Sequence, residues 1–351
     1  MLPGFLARFR PLGPWRIGPD SGARDRVDRI YHSDSLYSAV SSAMQRLGLL
    51  DEWLAATVAA PVVRFSSLFP FEGDTLYVVP PQHCWPPASS ARVRWKGARF
   101  VPLSVVHQLL SEKSPNEAKW TVDGASECLL ADDGRAGPFR AALRTAAAVD
   151  RLTGAHVEPH SAACLEFRAG AGLWAAVAFS DAEAEARWAE PVKAALRLLA
   201  DSGFGGKRSL GWGRAEQPDF SVGTVPDLIL PPIQPPQPPA EGEAPVVMET
   251  AYWLLSLFSP APEESIDWQR GQYSFLTRGG RIESPQRYGE IKKPLRMVAE
   301  GSVLYAAAPP SGALPNVAPD GFPHPVYRGG YAFSIPIPVR QAAAPAPKVT
   351  P

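Results

Sequence analysis

The sequence has few cysteines, no long apolar run and no net charge. Its three cysteines, Cys84, Cys128 and Cys164, lie far apart and form no C-x-x-C pair, which argues against a zinc site and against a disulfide framework. We expect them to be thiols in a reducing compartment. No run of about 18 apolar residues occurs, and arginines interrupt the N-terminal stretch where a signal peptide needs an apolar core. The sequence therefore predicts a cytoplasmic protein with no membrane partner.

The balance of charge limits the kind of nucleic-acid surface the chain can have. Lys and Arg together number 35, as do Asp and Glu, so the formal net charge is zero. Since no overall field attracts a polyanion, any basic surface must be local. A hydrophobic share of 45% over 351 residues is enough for two cores, so we expect two domains.

Proline is abundant, with 39 residues, and it marks the expected domain boundary. The stretch Leu230–Pro245, LPPIQPPQPPAEGEAP, can form neither helix nor sheet and is expected to be an extended linker. We therefore predict an N-terminal domain over 1–229, a linker over 230–246 and a C-terminal domain over 247–340. The tail 341–351 has no apolar pattern and is expected to be disordered.

The N-terminal part begins with a strand pattern followed by a helix pattern. Apolar residues alternate over Phe5–Arg10, as in a half-buried strand. From His32 onwards they recur at helical spacing, and Ser33 or Asp34 is expected to be the N-cap. The segment thus predicts a strand that leads into a helix.

The rest of the N-terminal part completes a recognisable order of elements. Residues 62–71 and 75–80 predict a β-hairpin, residues 185–203 a helix and residues 211–222 a strand. The stretch of about 81–181 between them is expected to be an insertion with structure of its own, because it is too long for a loop. Without the insertion, the order is that of the split βαβ, ferredoxin-like arrangement.

The C-terminal part is expected to be rich in β-structure. Strand-like patterns occur at Thr250–Phe258, Gln272–Arg278, Ser302–Ala308 and Tyr331–Val339. It could be a degenerate copy of the first part, although no internal repeat is legible. The predicted fold class is α+β, with two ferredoxin-like (RRM-like) domains, the second degenerate and β-rich.

The segment GFGGKRSLGWGR, Gly203–Arg214, contains five glycines and three basic residues. It does not fit the P-loop, because Arg208 follows Lys207 where Ser or Thr is required, and it follows a helix where phosphate-binding loops precede one. One interpretation is an RNA-binding loop on which Phe204 and Trp212 stack bases. The other is a helix C-cap and a glycine-rich bulge with both aromatic residues in the core.

Two histidine motifs are candidates for chemistry. A nuclease would use His32 as a general base, with Lys207 stabilising the transition state. The alternative is a structural or RNA-contacting histidine. His156 and His160 are four residues apart, but Pro159 makes a continuous helix between them improbable, so the sequence predicts no metal site.

Two further basic segments have alternative interpretations. Arg151 follows Asp150 just before a turn glycine, so the pair could brace the turn or Arg151 could contact an RNA phosphate. The basic stretch Arg278–Arg296 contains Arg281 and is either a solvated hairpin or a rim for RNA or a partner subunit.

Several motifs, taken together, resemble a known family. The helix end SGFGGKRSLGWGR is similar to the glycine-rich signature of the repeat-associated (RAMP) superfamily of CRISPR RNA-binding proteins. Six further motifs, in the same order, resemble the glycine-loop subunit of type III-A (Csm-type) interference complexes: YHSDSLYSAV at 31–40, AVDRLTGA at 148–155, GAGLWAAV at 170–177, LFSPAP at 257–262, MVAEGSV at 297–303 and VYRGGYAF at 326–333.

This resemblance implies a non-catalytic subunit without a cofactor. Such a subunit binds the 5′ handle of the CRISPR RNA, docks on the large polymerase-like subunit and adjoins a backbone RAMP subunit. The alternatives are a metal-independent RAMP endoribonuclease that processes repeat RNA and a protein-only scaffold. The predicted RNA-binding residues are Gly203, Phe204, Gly205, Gly206, Lys207, Arg208, Ser209, Gly211, Gly213, Arg214, His32, Ser33, Arg151, Arg278 and Arg281.

Overall fold

The structure of the protein, a computed structural model, describes residues 1–19, 22–87, 89–147, 150–154, 159–233, 248–284 and 288–340. Most of the expected linker, the tail 341–351 and His156 lie outside the described residues. Within the described ranges, no helix combines the length and the apolar character needed to cross a membrane.

The N-terminal half contains both helices and strands. The helices are α1 Ser33–Arg46, α2 Leu50–Ala59, α3 Ser89–Trp95, α4 Leu103–Leu110 and α5 Ala182–Ser202. The strands are β1 Leu2–Phe9, β2 Val63–Phe65, β3 Phe69–Glu72, β4 Thr75–Val78, β5 Val101–Pro102, β6 Trp120–Asp123, β7 Cys128–Ala131, β8 Phe139–Ala146, β9 His160–Phe167, β10 Ala171–Phe179 and β11 Asp219–Val225.

One sheet organises this half. Its strand order is β11-β1-β10-β3-β4-β5, with β2 also pairing with β10, and the pairs are antiparallel. The predicted hairpin is confirmed as β3 and β4, and the last predicted strand begins later than expected, at Asp219. β10 lies inside the segment expected as an insertion, yet it is a central strand, so the additional structure ends before residue 171.

Helices α1 and α5 pack against each other beside this sheet. α1 buries Leu36, Val40 and Met44, the apolar positions at helical spacing, as amphipathic packing requires. The expected N-cap was wrong: His32 is the N-cap, and it makes no side-chain cap hydrogen bond. Ser33 and Asp34 are already inside the helix, where their side chains bond to distant parts of the chain.

The C-terminal half consists of strands, and its described residues contain no helix. The strands are β12 Met248–Leu254, β13 Ile266–Gln272, β14 Phe275–Arg278, β15 Arg281–Glu283, β16 Tyr288–Ile291, β17 Leu295–Val298, β18 Val303–Ala306, β19 Gly312–Ala313, β20 Gly330–Tyr331 and β21 Ser334–Arg340. Four of them form a sheet in the order β13-β18-β12-β21, and β14 pairs with β17 and β15 with β16 as ribbons. The whole fold is mixed α/β.

The two halves share one hydrophobic core. Buried side chains of β10 and β12, such as Trp174 and Trp253, belong to the same apolar cluster. The indole N–H of Trp253 donates to the carbonyl oxygen of Val79 (3.2 Å), and the phenol of Tyr331 donates to that of Thr57 (2.6 Å). Since these bonds cross between the halves, the relative placement of the halves is fixed by buried packing.

Candidate nucleic-acid interface

The glycine-rich loop 203–214 connects α5 to β11, and its glycines allow close backbone packing. Gly203 is the C-cap of α5, with φ of 96°. A Cβ atom on Gly213 would lie 2.0 Å from the carbonyl oxygen of Phe204, and one on Gly205 would lie 2.3 Å from that of Arg16. These glycines are therefore required for the loop to pack against itself and against the segment after β1.

Phe204 is a core residue, contrary to the prediction that it stacks a base. Its side chain is 1% exposed and stacks on Trp15, with ring centroids 4.9 Å apart. It also meets Phe9 and Tyr31 edge to face. For Phe204, the interpretation as a cap and bulge with aromatic residues in the core is the correct one. Trp212 is half-buried.

The tip of the loop presents its polar and cationic side chains outward. Lys207, Arg208 and Ser209 are exposed, and the tip forms a short 3-10 turn over Arg208–Leu210. Lys207 has a left-handed φ of 63°, a conformation that side chains other than glycine rarely adopt. The geometry thus holds two cations at the outermost point of the loop.

Arg214 is exposed but tethered. Its Nε donates to the carbonyl oxygen of Asp201 (2.8 Å), and its Nη2 lies 3.2 Å from that residue's carboxylate. Because Asp201 lies in the last turn of α5, this guanidinium hydrogen-bonds a carbonyl group at the helix C-terminus.

The two remaining predicted glycines have different surroundings. Gly206 donates its N–H to the carbonyl oxygen of Arg16 (2.8 Å). Gly211 has φ of 77° with open space around it.

A cleft of about 960 Å³ lies between the glycine-rich loop, α1 and the C-terminal half. Three walls line it. The loop supplies Gly203, Phe204, Gly205 and Arg208; α1 supplies Ser35, Ser38, Ser42, Gln45 and Arg46; and the C-terminal half supplies Arg278, Gly279, Gly280, Arg281, Ser284, Ile291, Lys292 and Arg328. The cleft thus brings together loop residues and basic residues that are far apart in the sequence.

A buried ion cluster forms the floor of the cleft. Arg278 binds Asp34 through two hydrogen bonds, from Nε to Oδ2 (3.0 Å) and from Nη2 to Oδ1 (3.1 Å), and Arg328 Nη1 binds Oδ2 from the other side. All three side chains are at most 7% exposed. Burial alone would raise the pKa of Asp34, but the two guanidinium groups lower it to about 2. One carboxylate against two guanidinium groups leaves one net positive charge.

This arrangement corrects the prediction for Arg278. Its guanidinium is turned towards α1, where Nη2 also donates to the hydroxyl of Ser35 (3.0 Å). Arg328 Nη2 donates to the carbonyl oxygen of Gly279 (2.6 Å). Both arginines therefore hold the C-terminal half against α1 and set the shape of the cleft.

His32 and Ser33 are also buried, at 2% and 5% exposure, which removes them from direct contact with RNA. The ring of His32 lies between Glu300, 2.7 Å from Nδ1, and Asp28, 3.1 Å from Nε2. Burial would lower the pKa of His32, but these carboxylates raise it to about 9. A histidine held in this way is a protonated structural group. Ser33 is also structural, because its hydroxyl accepts a hydrogen bond from the backbone N–H of Leu257 (3.0 Å).

The remaining two predicted arginines differ in position. Arg281 is exposed and lines the cleft, and its Nη1 donates to the carbonyl oxygen of Gly289 (2.7 Å). Arg151 is exposed in a turn at 150–154 and is not among the residues that line the cleft. The carboxylate of Asp150 accepts the backbone N–H of Leu152 (2.8 Å), so it braces this turn through the backbone.

Sequence reasoning missed several residues of the cleft. Arg46, which ends α1, lines the cleft and was not considered, and Lys292, which also lines it, lies in the basic stretch Arg278–Arg296 but was not named as a site residue. Arg328 lies in the motif VYRGGYAF, which was one basis for the family resemblance and was given no role in a site. That motif was the available signal. In the described parts of the chain, no group of three or more His, Cys, Asp or Glu side chains could hold a metal ion.

Chains in solved structures of CRISPR complexes share this fold. A chain in a crystal structure of a Csm3-Csm4 subcomplex in the type III-A CRISPR-Cas interference complex is 15% identical, with a TM-score of 0.60. The match covers 95% of this chain and 99% of that chain. A chain in a crystal structure of a Csm1-Csm4 cassette in complex with cA4 is 16% identical, with a TM-score of 0.54 and coverage of 95% and 98%.

Comparison with protein-family models gives a more specific match than the solved structures do. Residues 248–337 match the model of the CRISPR Csm4 C-terminal domain. No curated protein matches the sequence. The family model and the shared fold together confirm the predicted resemblance to a Csm4-type RAMP subunit.

Proposed function

We propose that this chain is a non-catalytic subunit of a type III-A CRISPR effector complex and that it binds the 5′ handle of the CRISPR RNA in the cleft described above. The observation that carries the proposal is the charge of that cleft. Among its described lining residues, six are Arg or Lys and one, Asp34, is acidic. Because the whole chain has a formal net charge of zero, this concentration of cations is local.

The walls differ in what they offer to a single RNA strand. Arg46, Arg208 and Arg281 have exposed side chains, whereas Arg278 and Arg328 are buried. Exposed guanidinium groups suit the phosphate oxygens of RNA, which accept paired N–H donors. Lys207 and Ser209, at the tip of the loop, extend this surface outward. Phosphate contacts position the strand and leave base identity unread.

The proposed partners are the large polymerase-like subunit and an adjacent backbone RAMP subunit. The similar chains come from a Csm1-Csm4 cassette and a Csm3-Csm4 subcomplex, and the family model supports the same kind of assembly here.

We further propose that the first sheet belongs to a ferredoxin-like RAMP domain over 1–229, with a degenerate β-rich domain over 247–340. The order β11-β1-β10-β3 supports the first assignment, because four antiparallel strands in the order 4-1-3-2 with α1 and α5 as crossovers follow the split βαβ arrangement.

The nuclease alternative has less support. A general base must reach the hydroxyl that it deprotonates, whereas His32 is buried and both of its ring nitrogens are engaged by carboxylates. A protonated imidazole held in this way cannot accept a proton. We therefore propose a role in binding and assembly without catalysis.

The test is binding of labelled CRISPR RNA, with and without its 5′ handle, to the chain co-purified with the large subunit, across a salt series. Lys207→Ala combined with Arg208→Ala should weaken binding and reduce the salt slope by about 1.4, since each single-strand phosphate contact contributes about 0.7. The matched control is Arg92→Ala with Lys96→Ala, which removes two exposed cations outside the cleft.

Two results would contradict the proposal. One is equal binding of RNA with and without the handle. The other is a loop variant that behaves as the control does, which would favour the protein-only scaffold. Cleavage of repeat RNA in EDTA that is lost in His32→Ala would instead support the nuclease.

A further inference from the structure

One wall of the cleft is chemically unlike the others. On α1, Ser35, Ser38, Ser42 and Gln45 face the cleft at spacings of three and four residues, which places them in one row along the helix. The row is about 15 Å long, since each helical residue rises about 1.5 Å. The opposite side of this helix is the apolar face that contacts the core. Apart from Arg46 at its C-terminal end, the row therefore offers neutral hydroxyl and amide groups, where the loop and the C-terminal half offer cations.

The two middle serines have hydrogen-bonding capacity to spare. Ser35 is engaged, because its oxygen accepts Nη2 of Arg278 (3.0 Å). Ser42 donates its hydroxyl to the carbonyl oxygen of Ser38 (3.0 Å), which leaves its oxygen able to accept. Within the described chain, the hydroxyl of Ser38 has no hydrogen-bond partner, although the side chain is partly buried. A hydroxyl has one donor and two acceptor positions, so both serines can bond to a further group.

A second feature of the cleft points to a ligand. Arg328 lines the floor and is 6% exposed, yet its Nε finds no hydrogen-bond acceptor within the described chain. Buried polar groups without partners are rare and costly. Together with the net positive charge of the floor, this unsatisfied donor favours an electronegative ligand in the cleft.

We infer that the serine wall, through Ser38 and Ser42, binds ribose 2′-hydroxyl groups and so selects RNA over DNA; this inference rests on the proposed function. An RNA strand whose phosphates contact the cations of Arg208, Arg281 and Lys292 can place its sugars against α1, which lines the same cleft. The 2′-hydroxyl both donates and accepts, and it is the group by which a protein distinguishes RNA from DNA at a given position. Ser38 and Ser42 are separated by about 6 Å along the helix axis, so they can reach different riboses.

The test compares sugars at constant sequence. The probes are the synthetic 5′ handle as ribo-oligonucleotide, as all-deoxy oligonucleotide and with 2′-fluoro sugars, which keep the ribose pucker without a hydroxyl donor. The protein is the full chain co-purified with the large subunit. Wild type should bind the ribo form about 5- to 100-fold more tightly than the deoxy and 2′-fluoro forms, as expected for two hydrogen bonds.

The variants separate hydroxyl recognition from general binding. Ser38→Ala with Ser42→Ala should remove the preference for RNA and leave the affinity for the deoxy form unchanged, and Ser38→Thr with Ser42→Thr should retain the preference. Ser114→Ala, an exposed serine outside the cleft, is the control. In contrast, Lys207→Ala with Arg208→Ala should lower the affinity for the ribo form and for the deoxy form by the same factor.

Failure of this inference differs from failure of the proposed function. If the wild-type protein binds all three forms equally and with the same salt dependence, the cleft binds phosphates and the serine wall does not recognise the 2′-hydroxyl group. Equal binding of the ribo and 2′-fluoro forms would assign the selectivity to sugar pucker and overturn the role of the hydroxyls. If wild type binds none of the forms, both the proposed function and this inference are wrong.

Discussion

Replacing Asp34 with Asn should destabilise the fold by about 3 to 5 kcal/mol, the cost of leaving a buried charge without its partner. The carboxylate is 1% exposed and accepts hydrogen bonds from Arg278 and Arg328, which are 7% and 6% exposed at the side chain. An amide in its place keeps the shape but removes the negative charge, so two guanidinium groups would face each other in a buried site. The penalty lies in their unpaired charge rather than in lost packing.

The assay is equilibrium unfolding in urea, followed by near-ultraviolet circular dichroism at neutral pH. Asp74→Asn is the matched control, because that carboxylate is fully exposed and its nearest cation, Arg8, is 3.9 Å away; a change within about 0.5 kcal/mol is expected. Adding Arg328→Met to Asp34→Asn should restore part of the loss, because it removes one of the two uncompensated charges. A loss below about 1 kcal/mol for Asp34→Asn, or no rescue by the second change, would refute the reasoning.

Two more changes test other parts of the interface. The contribution of His32 to stability, about 3 kcal/mol for a pKa raised from 6.5 to about 9, should be complete below pH 6.5 and lost as the pH rises through 9. The difference in urea midpoint between wild type and His32→Gln should therefore shrink over this range; a constant difference would contradict it. Gly213→Ala should cost more than about 1 kcal/mol because its Cβ would overlap the oxygen of Phe204, whereas Gly13→Ala, with open space, should change stability by less than about 0.5 kcal/mol.

Elements with a clear local pattern could be predicted from the sequence. The alternation of β1, the helical spacing of α1 and the turn between β3 and β4 are encoded by neighbouring residues, and all three elements are present. β10 was missed as a sheet strand because every residue of AGLWAAVAF is buried. A strand covered on both faces has no alternation to detect, so its place in the sheet depends on partners that are distant in the sequence.

The fate of Phe204 shows why the site was only partly predictable. A glycine-rich loop with an aromatic residue has the same composition whether that ring is exposed to a base or inserted in the core. Here the ring fills a gap between Trp15, Phe9 and Tyr31, which lie in other segments. The sequence of residues 203–214 alone does not indicate that these three aromatic residues lie nearby in the fold.

The basic cleft could not be predicted for the same reason, because its residues come from segments that are far apart in the sequence. Asp34 is separated from Arg278 and Arg328 by 244 and 294 positions, and Arg46 and Arg208 come from two further segments of the chain. The field of the cleft therefore exists only when the two halves are packed together, in a chain whose total charge is zero. It follows that a variant such as Asp34→Asn could abolish the proposed RNA binding without removing any residue proposed to contact RNA, by releasing the wall that carries Arg281. Loss of binding is evidence for a direct contact only when the variant's unfolding midpoint is unchanged, and residues with exposed side chains, such as Lys207 and Ser42, meet that condition best.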